Sequence, residues 1–216
     1  LKLAEINRDT VETHLALGNL FRRRGEVDRA IRVHQHLIAR PNLNEDEKTV
    51  ALLELGEDYM RAGLLDRAET LFTDLVAMNA QAPSALKHLI AIYQHERDWD
   101  KAIDHARRLQ QATGESQGAV IAQFYCELAE QSRTRGALAE ARQHLDEAYA
   151  AESECVRASM IKGHIEAADG HLDKAIAAFE QVAEQDVDYV PEILSPLLDC
   201  YARAQQMARA EEFLLG

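Results

Sequence analysis

Apolar residues along this chain recur at intervals of three and four, the period at which an α-helix presents one face. Leu15, Leu17, Leu20 and Phe21 form the first such face. Just before it, Asp9-Thr10-Val11-Glu12 predicts a helix start, with Asp9 capping free amides and Glu12 reaching back. A short polar frame then interrupts the pattern and returns along the chain. It reads Gly25-Glu-Val-Asp-Arg-Ala30, Gly63-Leu-Leu-Asp-Arg-Ala68, Asp98-Trp-Asp-Lys-Ala102, Gly136-Ala-Leu-Ala-Glu-Ala141 and Gly170-His-Leu-Asp-Lys-Ala175. With Ala210, the six alanines are separated by 38, 34, 39, 34 and 35 residues, which predicts a 34-residue helical repeat. Each frame predicts a turn and the start of a second helix, with Asp28, Asp66, Asp100 or Asp173 suited to the positive end of the helix dipole.

Gly18 lies inside the first helix of its hairpin, where glycine costs about 1 kcal/mol relative to alanine. Close approach of the neighbouring helix supplies a reason for it. Gly56 and Gly163 fall in the same register, Ala129 is also small, and Ile90 and Leu198 break the rule.

The pattern resembles the tetratricopeptide repeat, whose units carry a small residue at position 8, an aromatic at 11, alanine at 20 and a bulky residue at 24. Phe21, Tyr59, Tyr93 and Tyr201 match the aromatic position, and Phe72 and Phe179 the bulky one. Pro83 and Pro191 sit where a helix can begin without losing a bond. Ser132 and Glu166 depart from the aromatic rule, so looser packing is expected in that layer of the fourth and fifth units. The resemblance implies an all-α, right-handed α-solenoid of about six units, near 11–44, 49–82, 83–116, 122–155, 156–190 and a truncated 191–216. Residues 1–10 read as the end of a preceding repeat helix. The two long spacings fall at Pro41–Glu47, where Asn44 and Glu47 can cap the next helix, and at Gly114–Gly118. Such connections either carry function or are insertions that touch nothing.

Composition removes several functions. The net charge of −13 would repel a phosphate backbone, and no basic stripe interrupts it, so nucleic-acid binding is not expected. No apolar run approaches 18 residues, so a soluble segment without membrane contact is expected. Four prolines and evenly spread helix formers predict one unbroken array rather than two domains. Cys126, Cys155 and Cys200 are widely separated and odd in number, which predicts ordinary buried thiols in a reducing compartment. The chain lacks a phosphate loop, a His-Glu-x-x-His helix and a Cys-x-x-Cys pair, and its histidines do not have chelating spacing. No enzyme activity, cofactor or metal is expected in this segment. The absent initiator Met predicts a piece of a longer array, whose cut ends lack polar caps and would favour self-association.

In repeat arrays of this kind the first helix of each unit lines a concave groove that holds other proteins. The resemblance places there Asn19, Arg22 and Arg23; Glu57, Met60 and Arg61; Lys87, Gln94 and His95; Gln123, Cys126, Glu130 and Arg133; Met160 and His164; and Asp199 and Arg203. The lining is polar and of mixed charge, with Arg and Met as the expected anchors.

A narrower resemblance lies in Leu17–Gln35, Gly56–Glu69 and Phe124–Ala129, which are similar to the bacterial lipopolysaccharide assembly protein B family. Asn19, His34, Gln35 and Cys126 carry it, because the generic repeat does not require them. The family has an N-terminal membrane anchor, a cytoplasmic repeat array and a C-terminal rubredoxin-like metal module, of which this chain would be the array. The resemblance implies a non-enzymatic adaptor at the cytoplasmic face of the inner membrane. Its partners would be the lipid A pathway deacetylase and the membrane AAA+ protease that degrades it. A general repeat scaffold and the repeat arm of a larger enzyme such as a glycosyltransferase stay open as alternatives.

Overall fold

The computed structural model describes residues 2–215, with side chains from Thr10 onward. Among these, all regular structure is helical. Six hairpins follow in order: α1 (Lys2–Arg23) with α2 (Val27–Ile38), α3 (Glu45–Arg61) with α4 (Leu65–Ala77), and α5 (Ala82–Glu96) with α6 (Trp99–Thr113). Then come α7 (Gly118–Thr134) with α8 (Leu138–Ala151), α9 (Val156–Ala168) with α10 (Leu172–Gln185), and α11 (Val190–Arg203) with α12 (Met207–Leu215). A 3₁₀ turn at Val187–Tyr189 leads into α11. The chain is thus an all-α array of helix-turn-helix repeats. It forms two compact units, divided between Glu115 and Ser116 inside the second lengthened connection.

All six frame alanines are buried, at 0 or 1 % exposure. Burial at that point lets the two helices of a hairpin close on one another without a side chain between them. The small residues of the first helices have an equally direct cause. A Cβ on Gly56 would lie 2.5 Å from the Phe72 ring, one on Gly163 2.4 Å from Phe179, and one on Gly18 2.2 Å from the His34 imidazole. A ring from the second helix therefore lies on bare backbone of the first. In the third unit the sizes are exchanged: Ile90 replaces the small residue and Ala106 the ring, and both are buried. The apparent exception conserves volume across the pair.

Hairpin turns use the left-handed region at Gly25, Gly63, Gly136 and Gly170. Arg97 and Gln205 occupy the same turn position with φ of 59° and 58°, a conformation that costs a side-chain-bearing residue roughly 1–2 kcal/mol. Arg97→Gly should therefore stabilise the first unit by about 1 kcal/mol, seen as a higher urea midpoint at unchanged m-value. An unchanged or lowered midpoint would show the turn to be unstrained.

Several expectations are corrected. Helix α1 runs through Asp9 without a break, so no helix begins there. Helices α3 and α7 start about four residues ahead of the expected boundaries, whereas α5, α9 and α11 start within one. Asn44 and Glu47 form the reciprocal cap on α3. Leu17 and Leu20 point outward, at 39 and 50 % exposure, and Val11 and Leu15 carry the buried side of α1 instead. The layer at Ser132 and Glu166 is not loose, since both residues are buried.

Candidate partner-binding surface

Within each compact unit, a recurring polar bond joins the second helix of a hairpin to the first helix of the next. Gln35 Nε2 donates to the Tyr59 hydroxyl at 3.0 Å, and the Tyr93 hydroxyl donates to Glu69 at 2.6 Å. Tyr201 donates to Glu180 at 2.5 Å. At the same position of the fifth unit stands Glu166, and its partner is correspondingly Arg142, at 2.7 Å. The departure from the aromatic rule therefore reverses donor and acceptor relative to the two Glu–Tyr pairs. Arg142 also reaches Asp169 at 2.6 Å, and His171 Nδ1 lies 2.9 Å from Glu166.

These bonds make Glu166 acid-sensitive. The hydrogen bond from Arg142 holds its carboxyl below the ordinary 4.5, against burial and with help from His171. A depressed folded-state pKa contributes stability that is complete above the unfolded value and is lost as pH falls through the folded one. Thermal unfolding followed from about pH 7 to about pH 3 should show Tm falling below about pH 4.5, with a shallower fall in Glu166→Gln. Identical profiles for the two proteins would remove Glu166 from acid unfolding.

In the first unit, first helices α1, α3 and α5 bring together Arg22, Arg23, Glu57, Met60, Arg61 and His88 around a cavity of about 540 Å³. Its floor is an ion network. Arg22 lies 2.6 Å from Glu54, 2.8 Å from Glu57 and 2.8 Å from Asp58. Asp58 is fully buried and also meets Nδ1 of the buried His34 at 2.6 Å. His88 reaches Glu57 at 3.2 Å and stacks on Phe72, with ring centroids 4.7 Å apart. The hydrogen bond from His88 lowers the Glu57 pKa against burial, and the charge of Arg22 adds to it.

The groove residues expected from sequence thus divide. Arg22 is 16 % exposed and held by three carboxylates, so it braces the wall. Arg23 and Arg61 are exposed at the rim and have no acidic partner among the described residues. Asn19 carries a buried amide oxygen, Oδ1, with no hydrogen-bond partner there. Lys87, Gln94 and His95 are exposed on α5 but lie outside the lining of this cavity.

The second unit is built differently. On α7, Glu130 and Arg133 pair at 2.8 Å, and Gln123 is exposed. On α9, His164 meets Phe179 edge-on at 5.2 Å, its pKa lowered by burial and by Arg133. Met160 is half-buried against the core around Phe179 and Tyr201. Asp199 and Arg203 pair with each other at 3.2 Å on α11. Cys126 cannot line a groove, because it is fully buried among Ala122, Ala129, Leu145 and Ile161. It lies 3.8 Å from Cys155, a proximity that their spacing of 29 residues concealed.

Sequence reasoning missed Glu54, Asp58 and Arg142. Asp58 had a visible signal, an acid beside Tyr59 in a helix whose neighbour carries His34 where Phe72 and Phe179 stand elsewhere. No group of three or more His, Cys, Asp or Glu that could hold a metal ion occurs among the described residues. Nor is any described helix long and apolar enough to cross a membrane.

Comparison with known proteins agrees with this architecture. Tetratricopeptide repeat models match residues 53–116 and 127–189, and a second such model matches 13–48. Lipopolysaccharide assembly protein B of Escherichia coli K12 is 42 % identical over 214 residues, covering 99 % of this chain and 55 % of that protein. Its counterpart in Haemophilus influenzae is 40 % identical over 204 residues, covering 94 % of this chain and 51 % of that protein. The chain spans about half the length of these curated relatives. A crystal structure of MamA protein superposes with a TM-score of 0.54 at 22 % identity, covering 85 % of this chain and 95 % of that one. A tetratricopeptide repeat protein from Parabacteroides merdae does so with 0.57 at 19 %, covering 95 and 77 %. The solved structures are informative for the fold alone. The chain belongs to the tetratricopeptide repeat family and shares its repeat array with the lipopolysaccharide assembly protein B family.

Proposed function

We propose that this chain is the protein-binding part of a non-enzymatic adaptor that restrains lipopolysaccharide synthesis. It holds the lipid A pathway deacetylase near a membrane AAA+ protease. The identity to lipopolysaccharide assembly protein B along nearly the whole chain supports the pathway. The array works in the cytoplasm, and the longer protein is anchored to the inner membrane. Tethering raises the local concentration of the substrate at the protease without a covalent step by the adaptor.

The observation that carries the binding role is the first-unit cavity. In a chain of net charge −13, Arg23 and Arg61 stand without acidic partners among the described residues, at the rim of a pocket with an apolar contact at Met60. Unpaired guanidinium groups beside an apolar surface suit an acidic segment of a partner, and arginine is a frequent energetic anchor. Arg22 is excluded from that role by its three carboxylates.

The test is capture of purified deacetylase by Arg23→Glu with Arg61→Glu. Weakening of about tenfold per arginine is expected, with helical content and Tm unchanged. Undiminished capture by the folded double variant would remove this cavity from the mechanism.

A further inference from the structure

Cys126 and Cys155 come together across three helices. Cys126 stands in the middle of α7, and Cys155 is the N-cap residue of α9, in the short connection that follows α8. Their sulfurs are 3.8 Å apart, in contact but not bonded. The two thiols have opposite surroundings. Cys126 is sealed in the apolar core, whereas Cys155 is partly exposed at the start of the helix.

We propose that this pair is a site of oxidative modification: a hydroperoxide oxidises Cys155 to the sulfenic acid, and Cys126 resolves it to a disulfide joining α7 to the start of α9. In the first step the Cys155 thiolate attacks the terminal oxygen of the hydroperoxide. The O–O bond breaks, sulfur loses two electrons, and the leaving alkoxide takes a proton from water to depart as the alcohol, or as water when the oxidant is hydrogen peroxide. In the second step the Cys126 sulfur attacks the Cys155 sulfur. The S–O bond breaks, and the departing hydroxide takes the Cys126 proton to leave as water. Two thiols and one hydroperoxide give one disulfide, one alcohol and one water.

The surroundings assign the roles. The hydrogen bond from Cys126 lowers Cys155 to about 6, against burial, with the amides of Ala158 and Arg157 adding and Glu152 opposing. Cys155 is thus the readier of the two to ionise, and the thiolate is the form that reacts with peroxides. The same contact, together with burial, pushes Cys126 up, so it keeps its proton until the sulfenic acid forms. Glu127 adds to that upward push and Arg157 opposes it, and these two side chains pair with each other at 2.7 Å. A disulfide needs the sulfurs at roughly 2.0 Å, and the remaining movement falls to Cys155, which lies in a connection rather than in a packed helix. Cys200, 1 % exposed in α11 and raised by burial, is the internal comparison.

The bond would hold α7 and α9, which carry Glu130, Arg133, Met160 and His164, in one fixed relation. The test treats the whole reduced chain with a few equivalents of hydrogen peroxide near pH 7, with dimedone as the sulfenic acid trap. The expected product is an intramolecular Cys126–Cys155 disulfide, two hydrogens lighter and restored by dithiothreitol, with Tm raised by roughly 5 °C. Cys126→Ser should accumulate a dimedone adduct at Cys155 and form no such bond. Cys155→Ser should react at least tenfold more slowly, and Cys200→Ser should behave as the unaltered chain. Absence of the Cys126–Cys155 bond in the unaltered chain, oxidation of Cys155→Ser at the same rate, or crosslinking mainly through Cys200 would each overturn the proposal. If Cys126→Ser loses helicity, Cys126→Ala, matched to the alanines around it, serves for the same trapping.

Discussion

Asp58→Ala should destabilise the first unit by about 3–5 kcal/mol, the cost of leaving buried polar partners without their counter-charge. The carboxylate is fully buried and meets Arg22 on one side and His34 on the other. Its removal leaves Arg22 with Glu54 and Glu57 at the wall, but takes from the His34 imidazole its one hydrogen bond, since Nε2 has no partner among the described residues. His34→Phe should be far milder. Its slot lies over Gly18 as those of Phe72 and Phe179 lie over Gly56 and Gly163, and Asp58 keeps Arg22. Urea unfolding of the two variants distinguishes a required acid from a required ring. Equal losses, or a loss under about 1 kcal/mol in Asp58→Ala, would show the network to be dispensable.

Phe179→Ala should cost the second unit about 3–5 kcal/mol, because its ring is fully buried and its removal leaves a cavity over the bare backbone of Gly163. Gly163→Ala tests the same contact from the other side. Its new methyl would lie 2.4 Å from the ring, and overpacking of this kind costs about 1–3 kcal/mol. In the double variant the alanine methyl occupies space that the ring has left, so the combined loss should be smaller than the sum. A coupling of about 1 kcal/mol or more in this cycle is expected. Additive losses would mean that the ring and the glycine act independently.

The hairpins were legible because their cause is local and repeated. The alanine frame, the glycines and the ring positions recur at a fixed spacing, and each satisfies one steric condition inside its own hairpin. The candidate surface was legible only by position. Periodicity put Arg22 and Arg23 side by side on α1, but whether either is free depends on acids brought in from α3. Helical register alone does not distinguish a brace from an open contact. Cys126 shows the same limit, since the first-helix position that would line a groove is here turned into the core beside Cys155. Glu166 departs from the aromatic rule because that rule describes one partner and omits the other, Arg142, 24 residues earlier.

The bonds between successive hairpins also bear on how such an array can be rearranged. Gln35 meets Tyr59 and Glu69 meets Tyr93, whereas Arg142 meets Glu166. A hairpin headed by tyrosine could follow either of the first two, but one headed by Glu166 placed after Glu69 would set carboxylate against carboxylate in a half-buried seam. Duplication or loss of a hairpin therefore succeeds only where the new neighbours match in polarity. The order of these repeats is keyed by chemistry that their shared outline conceals.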